Sequence, residues 1–144
     1  MKPREFVDRL QREEIVAAIR EAEKKTSGEI RVFISRKPVA DALVDAQSHF
    51  AEMGMEKTRE RNGVLIFLAP KSHKFAVVGD TAVHTKCGED FWKQLAEEMS
   101  QYFRDSHFTN GIVHGVRKAG ELLAQHFPHR PDDANELPDE VEEG

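Results

Sequence analysis

The chain has 144 residues, of which 39% are hydrophobic, so it is long enough for one domain with a packed core and short for two. Its formal net charge is −5. Seven acidic residues and one basic residue lie between Pro128 and Gly144, which leaves a net charge of +1 on the rest of the chain. A near-neutral body argues against nucleic acid as a partner. The single cysteine, Cys87, excludes an internal disulfide and a multi-cysteine zinc site.

The sequence also bears on where the protein resides. Its charged N-terminal stretch lacks the apolar segment of a secretory signal. Apolar stretches stay well below the roughly 20 residues that a membrane-spanning helix needs. We therefore expect a soluble, cytoplasmic protein without membrane insertion.

The first third of the chain predicts a helix, a strand and a second helix. Apolar residues recur at helical spacing over residues 11–25 and predict an amphipathic helix. Over residues 29–35, the aliphatic Ile30, Val32 and Ile34 then alternate with Arg31, Phe33 and Ser35, which indicates a strand. Apolar residues spaced three or four apart over 38–54 predict the second helix.

The middle of the chain predicts a β-hairpin. Residues 64–68 and 75–78 form two continuous apolar runs, joined by a short basic loop. The lack of alternation is typical of strands that are covered by helices on both faces. Helical spacing over 92–103 and 112–123 then predicts two further helices.

These elements together predict an α/β fold. We expect a three-layer α/β/α sandwich around a small mixed sheet, with a parallel pair of strands and an antiparallel hairpin strand. The domain is predicted over residues 1–127. Residues 128–144 are rich in acids and prolines and poor in large apolar residues, so we expect an acidic, disordered tail.

Three stretches of the sequence combine into a more specific pattern. They are Thr26-Ser27-Gly28-Glu29-Ile30-Arg31-Val32, then Phe50 with Met53-Gly54-Met55, Thr58 and Arg61-Asn62-Gly63-Val64-Leu65-Ile66, and finally Val78-Gly79-Asp80. This pattern resembles the TPM domain family over about residues 11–127. The resemblance implies an α/β/α sandwich, divalent-cation binding as in some members, and the acid phosphatase activity attributed to a plant member. Many relatives carry a signal peptide and a membrane anchor, and we expect this chain to be a short, soluble member without them.

The polarity of the strands predicts where a site would lie. Glu29 enters the first strand, Asn62 precedes the second, and Asp80 leaves the antiparallel third strand, so all three lie at one end of the sheet. The backbones of Glu29 and Asp80 should be about 10 Å apart, across two strand spacings. Two carboxylates with Asn62 can share one hard cation, completed by water. The resulting hypothesis is a Ca²⁺ or Mg²⁺ site in a binding or accessory module.

Several alternatives stay open at this point. Glu29 can instead cap the backbone or pair with Arg61, while Asp80 closes a turn by accepting backbone N–H groups. As an enzyme, the protein would be a weak metal-dependent phosphomonoesterase with Glu29 and Asp80 as metal ligands. A third alternative is a scaffold whose acidic tail docks on a basic protein partner.

The basic residues of the hairpin lie at the other end of the sheet. They are Lys71, His73 and Lys74, near the predicted start of the second helix. A metal-assisted phosphatase needs cation and phosphate in one coordination sphere, so this separation argues against that chemistry.

Overall fold

The computed structural model describes residues 11–58, 60–129 and 141–143, without the side chains of Cys87, Glu142 and Glu143. The helices are α1 (Arg12–Glu23), α2 (Ala42–Glu52), α3 (Thr81–Cys87), α4 (Glu89–Arg104) and α5 (Phe108–His126). The strands are β1 (Glu29–Ile34), β2 (Gly63–Ala69), β3 (Lys74–Gly79) and β4 (Val141–Glu143). Short 3₁₀ turns cover Met55–Lys57 and Pro70–Ser72.

The sheet is mixed, as predicted, and has the strand order β3-β2-β1-β4. Strand β1 runs parallel to β2, with Glu29 opposite Gly63. Strand β3 returns antiparallel to β2, with Gly79 opposite Val64. The amino ends of β1 and β2 therefore lie beside the carboxyl end of β3, which is the arrangement that the predicted site requires.

Helices cover both faces of this sheet, so the predicted three-layer α/β/α architecture is confirmed. Alternate residues of a strand point to opposite faces. On one face, Val32 and Ile66 pack in the larger core cluster with residues of α1, α4 and α5. On the other face, Phe33 and Phe67 pack with residues of α2. Strand β2 is buried throughout, whereas β3 is exposed at Lys74 and half buried over the next three residues, because β3 lies at an edge of the sheet.

Helix α5 approaches α1 closely where a glycine leaves room. A Cβ atom added at Gly120 would lie 2.6 Å from the Cβ atom of Ala22. Beside this contact, Thr26 pairs with Pro128, and the N–H of Ser27 donates to the carbonyl of Phe127 at 2.9 Å. The end of α5 is thereby attached to the turn between α1 and β1.

The prediction of a disordered tail is wrong at Val141–Glu143. These residues form β4, parallel to β1, with Val141 opposite Val32. Val141 is 6% exposed, and its carbonyl accepts a hydrogen bond of 3.1 Å from Nη2 of Arg12. A tertiary contact makes this strand, so the local sequence gives no sign of it. Residues 130–140 and 144 lie outside the described residues, and the disorder predicted for them stays a prediction.

Of the helices in the described ranges, none is long and apolar enough to cross a membrane.

Candidate functional site

The three predicted site residues lie at the same end of the sheet, as strand polarity predicted. Glu29 is the first residue of β1, Asn62 precedes β2, and Asp80 follows β3. All three are buried, with 3%, 1% and 4% of their surfaces exposed. The N–H of Asp80 donates to the carbonyl of Gly63 at 2.9 Å, which holds the ends of β2 and β3 together. Three hydrogen-bonded networks surround these residues.

The first network is centred on the buried guanidinium of Arg31. Its Nη2 atom donates to Oε2 of Glu29 at 3.1 Å, and its Nη1 atom donates to Oε2 of Glu23 at 3.1 Å. The same Glu23 oxygen accepts the N–H of Ile30 at 3.0 Å. Arg31 is 1% exposed, and a charge at such a position requires charged partners. Glu29 therefore pairs with Arg31, and the alternative pairing with Arg61 is wrong.

The second network holds the side chain of Asn62. Its Nδ2 atom donates to Oγ of Ser27 and to Oε2 of Glu60, both at 3.1 Å. The hydroxyl of Ser27 donates to the same Glu60 oxygen at 2.5 Å. Asn62 thus brings a third carboxylate, that of Glu60, to this end of the sheet.

The third network pairs Arg61 with Asp80. Nε and Nη2 of Arg61 each donate to one carboxylate oxygen of Asp80 at 2.8 Å. The hydrogen bond and the charge of Asp80 raise the pKa of the Arg61 guanidinium. Asp80 also accepts the N–H of Thr81 at 2.7 Å and so caps α3, which confirms its predicted turn-closing role.

The three networks bring several carboxylates to this end of the sheet. Those of Glu23 and Glu29 bind the guanidinium of Arg31, and that of Asp80 binds the guanidinium of Arg61. The carboxylate of Glu60 accepts hydrogen bonds from Asn62 and Ser27. The oxygen donors suit a hard divalent cation. The ion pairs oppose its entry, because Glu29 and Asp80 each already bind an arginine.

The two arginines differ in how readily they can leave. The side chain of Arg31 is 1% exposed, whereas that of Arg61 is 47% exposed beside an Asp80 side chain that is 3% exposed. The guanidinium of Arg61 can therefore move into water without leaving a cavity in the core. Across the part of the chain that the structure describes, no group of three or more His, Cys, Asp or Glu side chains is arranged to hold a metal ion.

Glu23, Ser27 and Glu60 were not among the predicted site residues, and no role was predicted for Arg31. For Arg31 a signal exists, because a charged residue in the middle of an otherwise apolar, covered strand must find a buried partner. Glu23 and Glu60 lie in a helix end and a turn, where acidic residues are common, so no signal distinguishes them.

The basic end of the hairpin is also partly occupied by the protein itself. Nζ of Lys74 donates to the carbonyl of Ala40 at 2.6 Å. The carboxylate of Asp41 accepts the N–H groups of Leu43 and Val44 at 3.0 and 3.3 Å, and so caps α2. The start of this helix, which the sequence places near the basic residues, therefore already holds a negative charge.

Comparisons with known proteins agree on one family. A model of the TPM domain matches residues 2–122. The chain is also similar to the BA42 protein from the psychrophilic bacterium Bizionia argentinensis, whose structure was determined by NMR. The TM-score is 0.85 and the identity 38%, over 94% of this chain and 96% of that chain. No curated protein matches the sequence.

Proposed function

Since the chain belongs to the TPM domain family, we propose that it is a binding domain that takes up Ca²⁺ or Mg²⁺ where Glu29, Asn62 and Asp80 lie. The observation that supports this proposal best is the pair of Asp80 and Arg61. A buried carboxylate has a half-exposed guanidinium as its counter-ion. A divalent cation can replace that guanidinium as the counter-ion of Asp80.

The residues would have unequal parts in this exchange. Asp80 would be the principal ligand, because its partner can turn outward into solvent. The side-chain oxygen of Asn62 is a neutral donor of the kind that Ca²⁺ accepts. Glu29 stays bonded to the buried Arg31. We therefore expect it to attract the cation through its negative charge and not to bind it directly. Competition with Arg61 makes the expected affinity weak, in the millimolar range.

A thermal titration tests the proposal. A ligand that binds only the folded state at ten times its Kd stabilises that state by about 1.4 kcal/mol. For a chain of this size, the Tm should rise by about 3–5 °C. We expect this rise with CaCl₂ or MgCl₂ in the wild-type chain, and a reduced rise in Asp80→Asn and Glu29→Gln.

The matched control is Glu97→Gln, which removes an exposed carboxylate from α4 and should keep the full rise. Sodium chloride at equal ionic strength controls for screening. If neither divalent salt raises the Tm of the wild type beyond sodium chloride, the proposal fails. It also fails if Asp80→Asn responds as fully as Glu97→Gln.

Catalysis is no part of this proposal, and the phosphomonoesterase alternative needs its own assay. Hydrolysis of p-nitrophenyl phosphate would be measured with and without Mg²⁺ in the wild type and in folded Asp80→Asn. Turnover that is lost in the variant would favour the enzyme alternative over a binding domain.

A further inference from the structure

Side chains cover the amino half of the β1 edge that faces β4, and β4 itself covers the carboxyl half. Glu23 accepts the N–H of Ile30, and the side chain of Arg31 donates to the carbonyl of Ile30. On the opposite edge, the N–H of Ser35 donates to the carbonyl of Leu68 beyond β2, at 2.7 Å. Backbone groups of successive strand residues point to alternate edges. Those of Val32 and Ile34 therefore point toward β4, as do those of Ile30.

The amino half of this edge is sealed by side chains. With the backbone groups of Ile30 bonded to Glu23 and Arg31, an added strand cannot pair there without breaking these bonds. The carboxyl half is different, because residues 32–34 pair with only the three residues of β4. An edge with unpaired backbone groups is a template for another strand, and β4 covers this one.

The contacts of β4 show what kind of strand this half accepts. Val141 supplies a buried, β-branched side chain, and Arg12 of α1 binds its carbonyl. The groove beside Val141 is lined by Arg12 and Arg20, with one acidic residue, Glu13, and the apolar Val16 and Ala17. In the sequence, Val141 stands between Asp139-Glu140 and Glu142-Glu143. Val141 thus lies beside two basic residues of α1, and its sequence neighbours on both sides are acidic.

The same contacts make β4 easy to displace. It pairs through three residues, and Val141 is the one side chain of β4 that the structure describes. An isolated pair of short strands is marginal in water. Twelve residue steps separate His129 from Val141, and they span up to about 40 Å when extended. Because Val141–Glu143 belongs to the same chain as β1, its docking is intramolecular, and a separate strand must compete with it.

We propose that the edge of β1 at residues 32–34, with Arg12 and Arg20 of α1, is a docking site for an acidic β-strand of a partner protein. The partner strand would carry one β-branched residue between acidic residues. The protein's own Val141–Glu143 occupies the site in cis and is exchanged for the partner strand. This proposal does not depend on cation binding where Glu29, Asn62 and Asp80 lie.

A peptide of residues 136–144 is the probe for this site. Its binding would be measured by calorimetry to the full wild-type chain and to full-length Val141→Asp, in which the internal strand is weakened. If the internal strand is docked nine-tenths of the time, the wild type should bind the peptide about tenfold more weakly than the variant. A peptide with Asp in place of Val141 is the matched control and should bind neither chain.

Amide hydrogen exchange of the two full-length chains adds a second measurement. The amides of Val32 and Ile34 should exchange at least about tenfold faster in Val141→Asp. The amide of Ile30, bonded to Glu23, is the internal control and should be unchanged. Where Val141→Asp fails to fold, as seen by circular dichroism, Val141→Ala replaces it in both measurements.

Three outcomes would overturn the proposal. The first is equal affinity of the peptide for both chains, or none for either. The second is that the control peptide binds as tightly as the peptide with Val141, because binding would then depend on charge alone. The third is a concentration-dependent dimer of the wild type that Val141→Asp abolishes, because the strand would then come from a second copy.

Discussion

At the scale of single residues, Asp80 combines two stabilising contacts that substitution can separate. Asn at this position keeps an acceptor for the cap of α3 but loses the charge that pairs with Arg61, whereas Ala loses both. We expect Asp80→Asn to lower the free energy of unfolding by about 1 kcal/mol, and Asp80→Ala by about 2–3 kcal/mol. Urea denaturation measures both. Equal losses in the two variants would show that the cap contributes nothing.

A second residue pair predicts a dependence of stability on pH. Oε1 of Glu98 on α4 lies 2.6 Å from Nε2 of His114 on α5, and this hydrogen bond is the main cause that lowers the pKa of Glu98. With a lower pKa in the folded state, the unfolded state binds the proton more readily. The contribution of this hydrogen bond to the free energy of unfolding is therefore complete above the ordinary Glu pKa of about 4.3. It is lost as the pH falls through the lowered pKa of Glu98 in the folded state.

Glu98→Gln should accordingly have a lower Tm than the wild type near neutral pH, by a small amount because solvent screens the pair. The difference should shrink once the pH is below the folded pKa of Glu98. Thermal melts across the acid range would measure it, with Glu97→Gln as the neighbouring exposed control. A Tm difference that grows toward acid would contradict the assigned sign.

At the scale of elements, the approach of α5 to α1 predicts an unusual response to alanine. In an exposed helix, replacing Gly by Ala stabilises by about 1 kcal/mol. At Gly120 the new methyl group would meet the Cβ atom of Ala22 at 2.6 Å, so the helices must separate. We expect Gly120→Ala to destabilise by about 1–3 kcal/mol in urea denaturation. Ala22→Gly in the same chain should recover part of the loss, and failure to recover any would contradict this packing.

The elements also show which parts of the fold sequence alone can predict. Long periodic stretches predicted four of the helices in the described part, and β2 was predicted from its continuous apolar run. Helix α3 was missed, because it is short and its main signal is the cap at Asp80. Strand β4 was missed because Val141 is one apolar residue among acids, and only its contact with β1 makes it a strand.

For the candidate site, strand polarity was sufficient to bring Glu29, Asn62 and Asp80 to one end. It was not sufficient to predict their partners. Whether Arg31 or Arg61 reaches Glu29 depends on side-chain directions, which strand order does not determine. The binding of a cation there stays a prediction that the titration must test.

At the scale of the whole molecule, β2 connects the two halves of the core. Ile66 packs on the side of α1, α4 and α5, and Phe67 packs on the side of α2. We expect Phe67→Ala to lower the free energy of unfolding by about 3–5 kcal/mol, and Ile66→Ala by about 2–5 kcal/mol. Both variants should still unfold in one transition by circular dichroism and by tryptophan fluorescence from Trp92. Two separated transitions would mean that the layers unfold independently.

The aromatic contacts beneath α2 have a spectroscopic consequence. The ring of His49 stacks on Phe33, with centroids 4.2 Å apart, and its centroid lies 5.4 Å from that of Phe67. Aromatic ring currents shift the resonance of a proton held over a ring face upfield. The imidazole protons of His49 should thus have shifted NMR signals, which report on how α2 packs against the sheet. The same signals would reveal whether a cation or a strand peptide disturbs this layer from a distance.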